Sequence, residues 1–272
     1  MGISELLPLL KPALKEVRLS EFRGKRVGVD GNVWIFRGAY SCALDLHLNV
    51  HTSSYIGYCC SLARMLLENG IHPVVVFDGY SLAAKDGTSH KRAEQRREAT
   101  AELELQMENW RELQMRHEAQ PHNNQLQHEV GAARARTEHA AQRTIKVTAQ
   151  MVERVMSALR GLGVDVMRAP YEADAQLAYL AKRRSVAAVL TEDSDLVAHA
   201  CPCVLLKLDR HAGTVQRLLW EDVPTVSAGN GLSLKNFDQT MFLELCILVG
   251  CDYLESPKRL GLKTAIKLMA KF

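Results

Sequence analysis

The chain has 272 residues, of which 47% are hydrophobic and 24% are charged, and its formal net charge is +3. This is enough apolar material for one large domain, or one domain with an appendage, around a packed core. No apolar run approaches the ~20 residues of a membrane span, which excludes an integral membrane helix, and the charge is too small to identify a nucleic-acid partner.

Four apolar runs in chain order predict β-strands, and helix-length segments separate them. A mostly parallel central sheet flanked by helices is therefore the expected α/β fold. The runs are Arg26–Asp30, Pro73–Gly79, Val186–Asp193 and Val204–Leu208.

Three of these runs have an aspartate as their last or next-to-last residue, namely Asp30, Asp78 and Asp193. Ligands of open parallel sheets collect beyond the carboxyl ends of the strands, so the three side chains are expected to converge. A single aspartate after a strand is usually a helix cap or a turn former. Three together favour a functional site.

Two more acids, Glu172 and Asp174, stand at the predicted start of the helix that follows Pro170. The alternative is that they only favour the positive end of the helix dipole, worth ~0.3–1 kcal/mol each. Asp195 repeats the two-residue spacing after Asp193, and Asp252 follows an apolar helix that begins near Met241.

Seven acids in one cleft would repel each other without cations, and this predicts a metal site. Oxygen ligands without histidine or cysteine favour Mg²⁺, or Mn²⁺ in its place, over Zn²⁺. Two ions ~3.5–4 Å apart could activate water and neutralise a phosphate in an in-line displacement.

The motifs that carry these acids resemble the structure-specific 5′ nucleases, the family of flap endonuclease, XPG and exonuclease 1. MGISELLPLLK, Asp30–Trp34, VVVFDG, APYEADAQLAYL, LTEDSDLVAHA and VGCDYL occur in family order. The segment around Trp34 and the stretch from Tyr55 to Phe77 look most like the exonuclease 1 branch.

The resemblance implies a ligand set for two Mg²⁺ ions and a mobile helical arch whose basic residues reach the phosphate to be cut. All seven acids of the family pattern are present: Asp30, Asp78, Glu172, Asp174, Asp193, Asp195 and Asp252. Basic residues in the arch region are Lys85, Lys91, Arg92, Arg96 and Arg97, and Lys85 and Arg92 match best by spacing. Ion pairs with Glu94, Glu98 and Glu102 are the alternative role of Arg96 and Arg97.

Within the arch region, Leu103, Met107, Trp110 and Leu113 form one helical stripe, so Trp110 is expected to pack rather than to stack on a base. The polar segment after Pro121 predicts a break in the helix. The stretch from about Ala119 to Ala133 is interpreted as a flexible connection.

Two positions depart from the family pattern. Phe36 replaces a histidine beside the basic residue Arg37. In the family this side chain wedges against a base pair of the DNA; phenylalanine keeps the ring for this contact but cannot form the hydrogen bond of histidine. Arg259 replaces the first glycine of a helix-two-turn-helix, and would be strained if that position needs a positive φ. The resemblance implies K⁺ and duplex contacts in this motif, for which the matching residues are Ser256, Leu260 and Lys263.

The expected organisation is a single nuclease domain: residues 1–80 and 138–248 form the nuclease region, 81–137 the arch and connection, and 249–272 a partial helix-two-turn-helix. Relatives continue beyond this motif, which leaves a truncated chain or a compact isoform open. The N-terminus is amphipathic and carries acidic residues, unlike a secretory signal, and the seven cysteines show no zinc or disulfide spacing. Free thiols in a cytosolic or nuclear protein are expected, and the resemblance favours the nucleus.

The predicted function is a 5′→3′ exonuclease and 5′-flap endonuclease that acts on double-stranded DNA with a 5′ end, nick, gap or flap. One alternative is a junction-binding protein with weak or no nuclease activity. Another is an α/β phosphatase with an aspartyl nucleophile, and a purely structural role of the acids is the last.

Overall fold

The computed structural model describes residues 2–3, 5–227 and 232–270. Its sheet has the strand order β1-β7-β6-β5-β2-β3-β4. The strands are β1 (Lys15–Arg18), β2 (Arg26–Asp30), β3 (His72–Phe77), β4 (Asp165–Arg168), β5 (Ala188–Leu190), β6 (Cys203–Asp209) and β7 (Thr214–Leu219). Strands β6, β5, β2, β3 and β4 are parallel to one another. Strand β7 pairs antiparallel with β6, and β1 pairs antiparallel with β7.

The predicted α/β class, with a mostly parallel sheet flanked by helices, is confirmed. All four predicted strands are present. Strands β1, β4 and β7 were not predicted, because each is short or half-exposed and lacks a continuous apolar run.

The helices are α1 (Leu6–Leu10), α2 (Gly31–Ala39), α3 (Ala43–His47), α4 (Ser54–Glu68), α5 (Asp86–Ala119), α6 (Asn124–Arg143), α7 (Ala149–Gly161), α8 (Ala173–Lys182), α9 (Asp195–Ala198), α10 (Gln239–Val249) and α11 (Leu262–Met269). Short 3₁₀ turns lie at Lys11–Ala13, Leu19–Phe22, Tyr40–Cys42, Ala83–Lys85 and Trp220–Thr225. Within the described ranges, none of these helices is long and apolar enough to cross a bilayer. All seven cysteines are free thiols, as expected, and six of them are buried.

The chain divides into two compact units. The first unit comprises Met1–Val33, Cys60–Lys85 and Val155–Phe272, and the second comprises Trp34–Cys59 and Asp86–Arg154. The sheet, α8 to α11 and the predicted acidic residues belong to the first unit. The predicted division at residues 80, 137 and 248 remains a prediction.

The core of the first unit forms around β2 and β3, whose residues after the first are all buried. Parallel strands covered on both faces need such continuous apolar runs. Gly28 lets α8 approach the sheet, because a Cβ at this position would lie 2.8 Å from Leu177 Cδ2. The fixed distance between α8 and β2 in turn positions the start of α8 beyond the strand ends.

The second unit is built on a helical hairpin of α5 and α6. Leu113, Leu126 and Ala133 form its apolar cluster, and Trp110 packs against them, which confirms the predicted packing role of Trp110. Asn123 caps α6 by accepting a hydrogen bond from Leu126 N at 3.1 Å.

The predicted flexible connection from about Ala119 to Ala133 is wrong for most of its length. The break at Pro121 exists, but α6 begins at Asn124 and Ala133 is fully buried. The Asn123 cap and the small residues that face α5 stabilise a helix that has few large apolar residues. Because the hydrophobicity of this segment is low, its sequence did not predict the regular helix α6.

Candidate active site

Carboxylates lie at the carboxyl ends of three neighbouring strands. Asp30 is the last residue of β2, Asp78 follows β3 directly, and Asp193 lies three residues after β5. Strand β2 pairs in parallel with both β3 and β5, so the three ends share one edge of the sheet. The predicted convergence at this edge is confirmed.

A fourth strand brings the next pair of acids to the same edge. Strand β4 pairs in parallel with β3, and the loop after it leads into α8, for which Glu172 is the N-cap and Asp174 lies in the first turn. At this helix start the two side chains are not yet on opposite faces of a regular helix.

Asp30 is held rigidly beneath the site. Asp30 is 6% exposed. Its Oδ1 accepts a hydrogen bond from Val33 N at 3.1 Å, and its Oδ2 accepts one from Thr191 Oγ1 at 3.3 Å. Burial, with the negative charges of Asp78 and Asp193, raises the pKa of Asp30 to about 7.

Asp78 connects β3 to α8. Its Oδ1 accepts a hydrogen bond from Ala173 N at 2.8 Å, and Oδ2 accepts one from Asn32 Nδ2. Burial raises the pKa of this carboxyl, and the charge of Glu172 adds to the effect. These two hydrogen bonds fix the carboxylate relative to the starts of both α2 and α8.

Asp174 has the most unfavourable environment of the group. Its Oδ1 is shielded from solvent and has no hydrogen-bond partner among the residues that the structure describes. Burial, together with the charges of Asp30, Asp193, Asp195 and Asp78, raises the pKa of Asp174 to about 9. A buried carboxylate in this position requires a proton or a cation.

Asp193 and Asp195 form a tight turn between β5 and α9. Asp193 N donates to Thr191 Oγ1 at 3.1 Å, and Asp195 N donates to Asp193 Oδ1 at 3.1 Å. Burial, with the charges of Asp193 and Asp252, raises the pKa of Asp195 to about 7. The Asp193 carboxylate therefore lies against the backbone of Asp195, close enough for the two charges to repel.

Lys85 supplies a positive charge between Glu172 and Asp252. Its Nζ lies 2.5 Å from Glu172 Oε1 and 3.2 Å from Asp252 Oδ2, and 5.0 Å from the centre of the Tyr253 ring. Burial would lower the pKa of Lys85, but the hydrogen bond to Glu172 and the charge of Asp252 together raise it. Lys85 therefore remains an ammonium ion that neutralises the outer pair of acids.

The donor set fits hard divalent cations. Within the described residues, no three His, Cys, Asp or Glu side chains are already positioned to hold an ion. Burial, together with the mutual repulsion of the acids at the strand ends, nevertheless raises the pKa of Asp30, Asp174 and Asp195. Asp174 Oδ1 also has no hydrogen-bond partner among the described residues. Carboxylate oxygens under such repulsion are the ligands that Mg²⁺ and Mn²⁺ prefer.

Three neighbours of the acids were not predicted from the sequence: Asn32, Thr191 and Tyr253. Asn32 and Thr191 bind Asp78 and Asp30, and the Tyr253 hydroxyl donates to Glu172 Oε2. Each stands within two residues of a predicted acid, which is the signal that could have indicated it. Such partners orient ligating carboxylates.

The predicted nucleic-acid contacts fall in both units. Lys91, Arg92 and Arg96 lie in the first three turns of α5, and Phe36 and Arg37 lie on α2, where the Phe36 ring packs edge-on to Tyr40 at 5.3 Å. All five belong to the second unit. Glu102, an expected partner of the arginines, forms an ion pair with Arg143 of α6 at 2.5 Å.

The turn between α10 and α11 brings Ser256 and Leu260 together. Ser256 Oγ donates to Leu260 O at 2.8 Å and lies 3.3 Å from Leu248 O and from Pro257 O. Lys263 is exposed in the first turn of α11. The turn therefore gathers several oxygen atoms around one hydroxyl.

Arg259 in this turn has a φ of 69°, so the expected strain is present. Arg259→Gly should raise the free energy of unfolding by about 1 kcal/mol, because glycine adopts this conformation without a Cβ clash. Urea denaturation measures the change. Lys258→Gly is the control, because Lys258 does not have a positive φ and a glycine there should lower the free energy of unfolding. Equal effects of the two substitutions would contradict the strain at Arg259.

Gly79 holds the loop after β3 against the loop after β4. Gly79 N donates to Tyr171 O at 2.5 Å, and a Cβ on Gly79 would overlap the carbonyl oxygens of Ala169 and Pro170. Gly79→Ala should therefore lower the free energy of unfolding by about 1–3 kcal/mol. Denaturant titration measures it, and an unchanged midpoint would show that the two loops separate freely.

Gly131→Ala is the matched control for Gly79→Ala. Gly131 lies inside α6, and a Cβ there would meet no atom within 4 Å. This substitution should stabilise the chain by up to about 1 kcal/mol through helix propensity.

Comparisons with known proteins agree with these features. The XPG N-terminal domain matches residues 1–99, and the XPG I-region matches residues 163–252. Exonuclease 1 of Arabidopsis thaliana is 34% identical over 272 residues, and that of Xenopus laevis is 37% identical over 270 residues. These alignments cover 100% and 99% of this chain but 34% and 33% of the relatives, so the chain spans about a third of their length.

Solved structures show the same fold. The catalytic core of Rad2 in complex with DNA substrate superimposes with a TM-score of 0.68 at 22% identity, covering 100% of this chain and 68% of that one. Flap endonuclease-1 from Methanococcus jannaschii gives 0.60 at 21% identity, covering 96% and 76%. The chain belongs to the XPG family, whose N-terminal domain and I-region it carries in that order.

Proposed function

We propose that this chain is a structure-specific DNA 5′ nuclease that hydrolyses phosphodiesters with two divalent ions, as a 5′→3′ exonuclease and 5′-flap endonuclease. The observation that supports it best is the group of buried, mutually repelling carboxylates at one edge of the sheet, where Asp174 Oδ1 has no hydrogen-bond partner in the described part of the chain. The XPG family match and the Exonuclease 1 relatives support the same activity.

Nucleases of this family use divalent metal ions, and we propose Mg²⁺, with Mn²⁺ able to replace it. When bound, the ions would activate water and neutralise charge on the phosphate. The proposed ligands, directly or through water, are Asp30, Asp78, Glu172, Asp174, Asp193, Asp195 and Asp252. Thr191, Asn32 and Tyr253 orient three of these carboxylates by hydrogen bonds.

Lys85 has two successive roles in this proposal. Without the ions, its ammonium group neutralises Glu172 and Asp252. With the ions and DNA bound, the same group is released from the carboxylates and donates hydrogen bonds to the phosphate that is cut. A preorganised cation of this kind stabilises charge that develops on a transferring phosphoryl group.

Arg92, with Lys91 and Arg96, is proposed to bind DNA phosphates. Arg92→Ala should flatten the dependence of log affinity on log salt concentration by about 0.7–0.9, the slope of one phosphate contact. Fluorescence anisotropy over a salt series with uncleavable flap DNA in Ca²⁺ measures the slope.

Arg116→Ala is the matched control, because Arg116 is an exposed arginine in the last turn of the same helix. It lies about 36 Å from Arg92 along the helix axis. Equal slopes for Arg92→Ala and the unmodified chain would contradict the contact.

The turn between α10 and α11 is proposed to bind duplex DNA. Ser256 and Leu260 would hold K⁺ against a phosphate, and Lys263 would contact the same backbone. The support is the cluster of carbonyl oxygens around Ser256 Oγ. Phe36 and Arg37 on α2 are proposed to meet the end of the duplex, where a half-buried ring can still stack on a base pair.

The proposed substrates are double-stranded DNAs with a 5′ end, nick, gap or flap, and the proposed setting is repair, recombination or replication in the nucleus. Flap, nicked and blunt duplexes labelled at the 5′ or the 3′ end test this directly. We expect Mg²⁺-dependent products that begin at the 5′ end or at the flap junction. Binding without any product would instead identify a junction-binding protein, and turnover of small phosphate esters would indicate a phosphatase.

A further inference from the structure

The second unit contains a cavity that the proposed nuclease chemistry does not use. It has a volume of about 340 Å³ and lies between the segment that joins α3 to α4 and the segment that leads into α7. We call it the basic pocket and define it by six of its lining residues: His47, His51, Tyr55, Lys146, Thr148 and Arg154.

The charge of the basic pocket has one sign. Lys146, Arg154 and the two histidines line it, and the lining within the described part of the chain includes no Asp or Glu. Asp45 and Glu153 belong to the adjoining helices α3 and α7 but do not line the cavity. Cationic side chains around a concave space attract anions.

Contacts with three neighbouring residues fix the Arg154 side chain in the lining of the basic pocket. Its Nη1 donates to Thr52 O at 3.4 Å, Nη2 lies 3.4 Å from His51 Nε2, and the guanidinium stacks over the Tyr55 ring at 5.7 Å. A guanidinium carries five N–H donors in a planar fork, so an arginine held in this way can also bind a phosphate oxygen pair.

Two helices begin at the same cavity. Tyr55 lies in the first turn of α4, and Gln150 and Met151 lie in the first turn of α7; all three line the pocket. Thr148 Oγ1 accepts a hydrogen bond from Met151 N at 3.2 Å and so caps α7. The positive ends of two helices of 15 and 13 residues add to the basic side chains, and helix starts bind phosphate groups.

We propose that the basic pocket is a phosphate-binding site, separate from the acid cluster. Its ligand is a phosphate group, either a phosphate of a DNA strand or free inorganic phosphate. Arg154 provides the paired donors, Lys146 provides charge at the rim, and the histidine rings provide further N–H donors. The proposal does not depend on nuclease activity, because none of the proposed metal ligands takes part in it.

Histidine-ring NMR signals of His47 and His51 provide the test. We expect saturable shifts when inorganic phosphate is added, and no such saturation with chloride at equal ionic strength. Arg154→Gln should weaken phosphate binding about ten-fold or more, as the loss of a charge-assisted hydrogen bond does. Lys146→Gln, at an exposed position, should weaken it less and guards against a folding defect in the Arg154 variant.

Arg136→Gln is the control, because Arg136 is exposed on α6 and does not line the cavity. Its affinity for phosphate should equal that of the unmodified chain. Shifts that fail to saturate, or equal affinities for the Arg154, Lys146 and Arg136 variants, would overturn the site.

A second arm separates the two sources of phosphate. A short single-stranded oligodeoxynucleotide is titrated with and without a 5′ phosphate, in the absence of divalent ions. Tight, Arg154-dependent binding of both oligonucleotides identifies internal phosphodiesters as the ligand, and binding of the 5′-phosphorylated one alone identifies a terminal phosphate. If neither displaces inorganic phosphate, the site serves the free anion.

Discussion

Replacement of Asp174 by asparagine is expected to abolish Mg²⁺-dependent cleavage while it raises the stability of the metal-free chain. The ligand is lost, and a metal contribution of several kcal/mol corresponds to a rate decrease of about 10³-fold or more. DNA affinity should not fall, because the substitution removes one of the negative charges that repel phosphate. Single-turnover cleavage of a labelled 5′ flap measures the rate.

The gain in stability follows from the environment of the Asp174 carboxyl. Its pKa is about 9 in the folded chain against 3.8 for the isolated side chain. The folded state therefore binds the proton more tightly than the unfolded state. The contribution of this proton to the free energy of unfolding is fully present below about pH 4 and is lost as the pH rises towards 9. Asp174→Asn should consequently raise the melting temperature at pH 7.5, by about 2–4 °C for each kcal/mol of repulsion removed, and not at pH 4.

Asp165→Asn is the matched control for Asp174→Asn. Asp165 lies on β4 and forms an exposed ion pair with Arg26 at 2.8 Å. Its replacement should leave cleavage unchanged and lower stability by no more than about 1 kcal/mol. Normal cleavage by Asp174→Asn, or an equal change of melting temperature at both pH values, would contradict the metal-ligand role.

Replacement of Lys85 by methionine is expected to separate metal binding from catalysis. The ammonium group contacts Glu172 and Asp252, so its removal frees both carboxylates and should tighten Mg²⁺ binding. The same change removes a donor to the phosphate and should slow cleavage about 10²–10³-fold. Calorimetric titration of Mg²⁺ and single-turnover cleavage at saturating Mg²⁺ give the two quantities.

Two variants complete this experiment. Lys85→Arg keeps a positive charge and should retain part of the cleavage rate, although its planar group fits the site differently. Lys235→Met removes an exposed lysine outside the site and should change neither quantity. A Lys85→Met enzyme with unchanged metal affinity would show that Lys85 does not compete with the ions.

The positions of Asp30, Asp78 and Asp193 could be predicted because each lies at or just after the end of a strand with a continuous apolar run. The ends of parallel strands meet at one edge, so a local pattern was sufficient. The approach of Glu172 from β4 could not be predicted in the same way. Strand β4 has four residues, none of them buried, and its sequence has no apolar run.

The partnership of Lys85 with Glu172 and Asp252 is a tertiary contact that no local pattern encodes. The motif resemblance indicated Lys85 as a phosphate ligand but not as a neutralising partner of the acids. Helix α6 was missed for a different reason: its buried face consists largely of Ala133, Thr137, Ala140 and Ala141, which give a weak periodic signal. The strain at Arg259 could be foreseen because a glycine position in the family pattern carries a side chain.

Anomalous diffraction from crystals soaked in Mn²⁺ would examine the carboxylate cluster itself. Two peaks about 3.5–4 Å apart are predicted, with Asp174 Oδ1 bound to one of them and Lys85 Nζ withdrawn from Glu172 and Asp252. A map without peaks at saturating Mn²⁺, in which Lys85 still bridges Glu172 and Asp252, would contradict a two-ion nuclease.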